Sequence, residues 1–308
     1  MNTFKHIHIV AILALIFITG CKKDPKTDSN RAEAKVYLDV AYSGDAFQKM
    51  DVYLPENRSN STPVVLMLHG GGFIAGDKRE FSEHAANLSA KGYVVLNTNY
   101  RLVDSTGALR VPVIHKSSAV KIVDQLADLD AAVNFAISKS SEWVMSTDRW
   151  AMAGHSAGAT LSLLYSYGDK NKNKRIKAVG NWAGATNFAF NDESEAAFLD
   201  PRLVEIFYRA VGHEVKNANK LAYMSVSPYW VASANGGIPT INIRPENNVV
   251  IGPDYSKAEY QALTTLLNSK ATPNKSIEVT GADHGFSKAG NWNLVISETD
   301  AFFKAYLK

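Results

Sequence analysis

Cysteine is nearly absent from this 308-residue chain: Cys21 is the only one. A lone thiol closes no disulfide within the chain, so the fold must rest on a buried core. A hydrophobic fraction of 46% suffices for that. Charge of one sign is also scarce. Lys and Arg total 33 against 30 Asp and Glu, a formal net charge of +3. The densest basic stretch, Lys170 to Lys177, falls between a predicted helix and a predicted strand and reads as a solvated loop. No nucleic-acid partner is expected. No His/Cys grouping has metal-ligand spacing, so neither metal nor organic cofactor is expected.

Long apolar runs are limited too. Ile7 to Ile18 is broken only by His8, follows Lys5, and is too short to span a bilayer comfortably. It reads as the core of an export signal, residues 1–20. The signal ends in Ile18-Thr19-Gly20-Cys21, which resembles the bacterial lipobox. That resemblance implies cleavage before Cys21, a diacylglyceryl group on its sulfur, and a lipid-anchored protein of the cell envelope. Residues 21–34 are polar and charged and read as the lipidated cysteine with its flexible tether.

The domain is expected over residues 35–308. Lys35 to Ala41 and Lys49 to Tyr53 open it as strands, and alternation in Met50-Asp51-Val52-Tyr53-Leu54 predicts a half-buried antiparallel strand. Continuous apolar runs follow at Val64 to Leu68, Tyr93 to Asn97 and Arg149 to Ala153. Weaker ones come at Ala178 to Trp182, Thr240 to Ile243 and Ser276 to Val279. Runs without alternation indicate strands covered on both faces, as in a parallel sheet. Helical patterns lie between them, at Phe81 to Lys91, Ala119 to Ser138, Ala157 to Tyr167, Ser256 to Ser269 and Glu298 to Leu307. The alternation predicts an α/β fold with a mostly parallel, doubly wound sheet. Residues 185–237 break it and read as a small helical insertion that covers the site.

Three glycine-bearing turns carry the chemistry. Gly154-His155-Ser156-Ala157-Gly158 fits G-x-S-x-G between a strand and a helix. Such a turn exposes the Ser156 hydroxyl and aims a helix N-terminus at it. His69-Gly70-Gly71-Gly72 also follows a strand, and its glycines let backbone N–H groups approach a substrate closely. The N–H groups of Gly71, Gly72 and Ala157 are the candidate oxyanion hole. Gly281-Ala282-Asp283-His284-Gly285-Phe286 supplies a histidine after the last strand, in the chain order Ser before His.

On these motifs the chain resembles the carboxylesterase and hormone-sensitive-lipase-like branch of the α/β-hydrolase superfamily. It is also similar to bacterial esterases that remove acetyl or feruloyl groups from plant polysaccharides. Asn99-Tyr100-Arg101-Leu102, Asp148-Arg149 and Pro239-Thr240 add to the likeness. The resemblance implies the α/β-hydrolase fold and hydrolysis of a small-molecule or carbohydrate-linked ester through an acyl-enzyme on Ser156, with His284 as base. It also places an Asp where this chain has Asn248, in Arg244-Pro245-Glu246-Asn247-Asn248. An amide cannot stabilise an imidazolium as a carboxylate does. Asp254 is therefore the expected third member, narrowly ahead of Glu246. A non-catalytic lipid-anchored binding protein, which Asn248 would suit, and a peptidase of the same superfamily remain as rival readings.

Overall fold

The computed structural model describes residues 32–250 and 253–308. The signal, Cys21 and most of the tether lie outside the described residues.

Eight strands form one sheet in the order β1-β2-β4-β3-β5-β6-β7-β8. In chain order they are β1 (Lys35–Ala41), β2 (Lys49–Leu54), β3 (Val64–Leu68), β4 (Val94–Thr98), β5 (Trp150–His155), β6 (Ile176–Trp182), β7 (Thr240–Asn247) and β8 (Asn274–Asp283). β1 and β2 pair antiparallel, as do β2 and β4, and every further neighbour is parallel. The helices are α1 (Ser82–Ala90), α2 (Ile122–Ser138), α3 (Ser140–Trp143), α4 (Ala157–Tyr167), α5 (Pro201–Val211), α6 (Lys220–Ser225), α7 (Pro228–Asn235), α8 (Pro253–Ser269) and α9 (Asn291–Tyr306).

The central strands explain the double covering. In β3, Val64, Leu66 and Leu68 face one hydrophobic cluster while Val65 and Met67 face another, on the opposite side of the sheet. All five are fully buried. β2 departs from the expected half-buried pattern, because its Asp51 does not face solvent. Asp51 is 2% exposed and holds the Lys78 ammonium at 2.7 Å, so both faces of the strand are covered. A buried charge tolerates that only with a partner.

The chain leaves β3 for β4 on one side and returns to place β5 on the other. Such a reversal opens a crevice at the carboxyl ends of the two strands. The first two motifs lie there, His69 to Gly72 after β3 and Ser156 after β5. Between β6 and β7 the expected insertion appears as short 3-10 turns and helices α5, α6 and α7.

Candidate active site

The turn from β5 into α4 is tight, and its glycines show why. A Cβ on Gly154 would stand 2.5 Å from the Gly158 carbonyl carbon, and one on Gly158 would stand 2.3 Å from the His69 carbonyl oxygen. Both obstacles are backbone and cannot step aside. Ser156 itself sits at φ 51°, ψ −121°, a conformation that side-chain-bearing residues rarely adopt. Its N–H donates to the Trp182 carbonyl at 2.8 Å, and its carbonyl accepts from the Ala159 and Thr160 N–H groups. The strained residue is thus held from β6 and from its own helix.

His284 closes on this serine. Its Nε2 lies 2.9 Å from Ser156 Oγ, and its Nδ1 lies 2.9 Å from Asn248 Oδ1. The amide oxygen can only accept, so Nδ1 carries the proton and Nε2 is free to take one from the serine. The orientation of the amide is held on its other side, where Asn248 Nδ2 faces Ser256 Oγ at 3.4 Å. Both Asn248 and Ser256 are fully buried. Burial pushes the His284 pKa down to about 4, with His155 adding to the shift and Asp283 opposing it. The imidazole is a neutral base across the physiological range.

The ring atom expected to face Asp254 therefore faces Asn248. Asp254 stands in the first turn of α8, and its side chain lies outside the described residues. The other carboxylate considered, Glu246, is engaged elsewhere: its Oε2 accepts from the Gly281 N–H at 2.6 Å. The reason for the difference is chemical. An amide can select this histidine tautomer only while its oxygen, not its NH2, faces Nδ1, as the contact of Nδ2 with Ser256 Oγ arranges here, and it lacks the charge of a carboxylate.

The candidate oxyanion residues are partly brought together. Gly72, Ala157, Ser156 and His284 line one cavity of about 80 Å³, with Phe188, Leu203, Ile206 and Phe207 closing its far side. Gly71 is set one step back. At φ +108° it makes the turn, its carbonyl accepts from the Ile74 and Ala75 N–H groups, and a Cβ there would stand 2.1 Å from the Ala75 carbonyl oxygen. The Asn99-Tyr100-Arg101 step supports this loop from below. Tyr100 donates to the His69 carbonyl at 2.8 Å and stacks on the His69 ring, while Arg101 is paired with the buried Asp128.

The insertion supplies the walls. Ala185, Phe188, Leu203, Phe207 and Val250 are shared with a second, larger chamber of about 400 Å³, to which Phe190, Phe198 and Tyr223 also contribute. The start of the insertion is pinned by Glu259 of α8, whose Oε2 accepts from the Thr186 and Asn187 N–H groups at 2.9 and 3.1 Å. Burial raises the Glu259 pKa to about 8. Sequence reasoning missed Glu259, Ser256 and the contacts of His155, because no spacing rule ties them to the serine.

With this geometry in hand, the relatives fall into place. Over 139 residues the chain is 29% identical to the kynurenine formamidase of Salmo salar, covering 45% of this chain and 41% of that one. It is 26% identical over 123 residues to a probable isoprenylcysteine alpha-carbonyl methylesterase of Arabidopsis thaliana, covering 40% of this chain and 23% of that one. The matched segments thus span less than half the length of either relative. Among solved structures, esterase 2 of Thermogutta terrifontis superposes with a TM-score of 0.65 at 16% identity, over 88% of this chain and 94% of the other. A carbohydrate esterase from gut microbiota, in truncated form, gives 0.64 at 16%, over 88% and 95%. These superpositions show the α/β-hydrolase fold, and the BD-FAE family model matches residues 50–263, so the chain belongs to the BD-FAE family.

Proposed function

We propose that the chain is a serine esterase that cleaves short-chain carboxylic esters through an acyl-enzyme. The observation that carries the reading is the contact of His284 Nε2 with Ser156 Oγ at 2.9 Å, at the mouth of a cavity that Gly72 and Ala157 share. In the first half-reaction Ser156 Oγ attacks the ester carbonyl and its proton passes to His284 Nε2. The Gly72 and Ala157 N–H groups, with Gly71 behind them, receive the oxyanion. Nε2 then returns the proton to the departing alcohol. A water repeats the sequence on the acyl-enzyme and releases the acid. Asn248 holds the Nδ1 proton throughout.

The small cavity suits a short acyl chain, and the larger aromatic chamber leaves room for the alcohol. The carbohydrate esterase among the structural neighbours makes acylated sugars the natural substrates to try first. The kynurenine formamidase relative adds a formamide to the panel. Hydrolysis of p-nitrophenyl acetate and butyrate, with covalent labelling of Ser156 by an organophosphonate, tests the reading. Absence of both would favour the binding-protein alternative, and cleavage of an aminoacyl anilide in preference to esters would favour a peptidase. Sequence alone supports a further part of the proposal, lipidation of Cys21 and residence in the cell envelope. Globomycin should then cause a precursor to accumulate, and unchanged processing would overturn it.

A further inference from the structure

His155, the residue just before the nucleophile, makes a contact that the acyl-transfer scheme does not use. Its Nε2 lies 2.8 Å from the backbone carbonyl oxygen of His284. A carbonyl only accepts, so His155 Nε2 carries the proton and donates. One residue on, Trp292 Nε1 donates to the Gly285 carbonyl at 3.0 Å. Two ring N–H groups, one from the end of β5 and one from α9, thus reach into the loop that bears the base.

The surroundings hold the His155 donor in place. Its ring lies 6.0 Å from Phe81, 6.2 Å from Phe286 and 5.8 Å from Trp292, centroid to centroid. Trp292 is in turn stacked on His84 at 4.3 Å. Burial pushes the His155 pKa down, so the ring stays neutral and keeps one N–H. The contact joins the motif of the nucleophile, at the end of β5, to the motif of the base, just after β8.

Resting on the esterase reading above, we propose that His155 is a positioning residue for His284, assisted by Trp292. The physical reason lies in Asn248. In a Ser-His-Asp site the charged partner holds the imidazole by a charge-assisted bond, roughly twice as strong as a neutral one. Here the partner at Nδ1 is an amide. The aim of the imidazole then depends more on its own backbone, and His155 fixes that backbone relative to Ser156. A misplacement of about 1 Å at such a pair costs on the order of a hundredfold in rate.

The test is a set of substitutions at position 155, read as kcat and KM for p-nitrophenyl butyrate together with the melting temperature. His155→Phe keeps an aromatic ring but has no donor, and kcat should fall by about tenfold to a hundredfold with KM nearly unchanged. His155→Gln places an amide N–H near the former Nε2 and should recover most of that loss. His155→Asn, one carbon shorter, should not. If Phe matches wild type in kcat, or if Gln falls as far as Phe and Asn, the proposal is overturned and the role of the ring is packing. Should the Phe variant fail to fold, the Gln and Asn pair decides the matter. Failure of the esterase reading looks different: wild type itself would then neither turn over the ester nor be labelled at Ser156.

Discussion

On the nucleophile side of the cleft, backbone sets the geometry. Ser156 at φ 51° and Gly71 at φ +108° hold conformations that the neighbouring chain enforces, and Gly158 packs against the carbonyls of His69 and Leu68 with no room for a methyl group. On the histidine side, side chains set it. His284 is aimed by the Asn248 amide and the His155 ring, and the turn beneath it is tied to the Glu246 carboxylate. A Cβ on Gly285 would meet nothing within 4 Å. One half is therefore intolerant of added bulk, and the other is intolerant of lost polar atoms.

The largest effect should come from the serine that the backbone presents. Ser156→Ala removes one oxygen and should lower kcat on p-nitrophenyl acetate by about a millionfold while leaving the melting temperature near wild type. Activity within tenfold of wild type would end the assignment.

Gly158→Ala attacks the backbone-built half directly. The new methyl group would stand 2.3 Å from the His69 oxygen and 2.6 Å from the Leu68 oxygen, so β3 and α4 must separate. Overpacking of this kind costs about 1–3 kcal/mol, and it would move the Gly70–Gly72 loop away from the serine. A lower unfolding midpoint in urea and a rate loss of about a hundredfold are expected. Unchanged values for both would mean that the close packing is not required.

These two halves differ in the same way in how far sequence reveals them. G-x-S-x-G and the triple glycine are legible because a strained turn restricts residue type at fixed spacing, and the strand–turn–helix order around them follows from apolar periodicity. His284 is legible through its own glycine turn and its chain order. The partner of His284 has no such signature. The resemblance points to position 248, but an amide there lacks charge, whereas Asp254 carries one. The burial of Asn248, with Ser256 behind it, emerges only from the folded chain. Asp51 is hard to read for a related reason: a polar residue in alternation looks solvent-facing, and its Lys78 partner lies 27 residues away in sequence.

The side-chain-built half is challenged by Asn248→Ala beside Asp254→Asn. Loss of the amide leaves Nδ1 without its acceptor and permits the wrong tautomer, so kcat should drop by about tenfold to a hundredfold. Asp254→Asn should change kcat by less than about threefold. The reverse ranking would assign the orienting role to Asp254.

Asn248→Asp asks what the missing charge would add, and it should produce a modest gain in rate and the clearest change in pH dependence. In the native protein the His284 pKa is lowered to about 4, from an ordinary value of 6.5. The neutral form is the base, so the acid limb of kcat/KM should have its midpoint near 4. A carboxylate in place of the amide favours the imidazolium and should raise that midpoint by about one to three units. At pH 8 both proteins hold neutral His284, and the variant should be faster by roughly tenfold, since the charge stabilises the imidazolium formed in acyl transfer. Near pH 5 the native base stays free while the base of the variant is largely protonated, so the advantage should shrink or invert. Stability follows the same sign. A histidine with a depressed folded-state pKa binds fewer protons folded than unfolded, so the native protein loses stability as pH falls from 6.5 towards 4, and the variant should lose less. An acid limb that stays in place in Asn248→Asp would show that residue 248 does not govern the charge on His284, and the contrast between the two halves of the site would lose its electrostatic part.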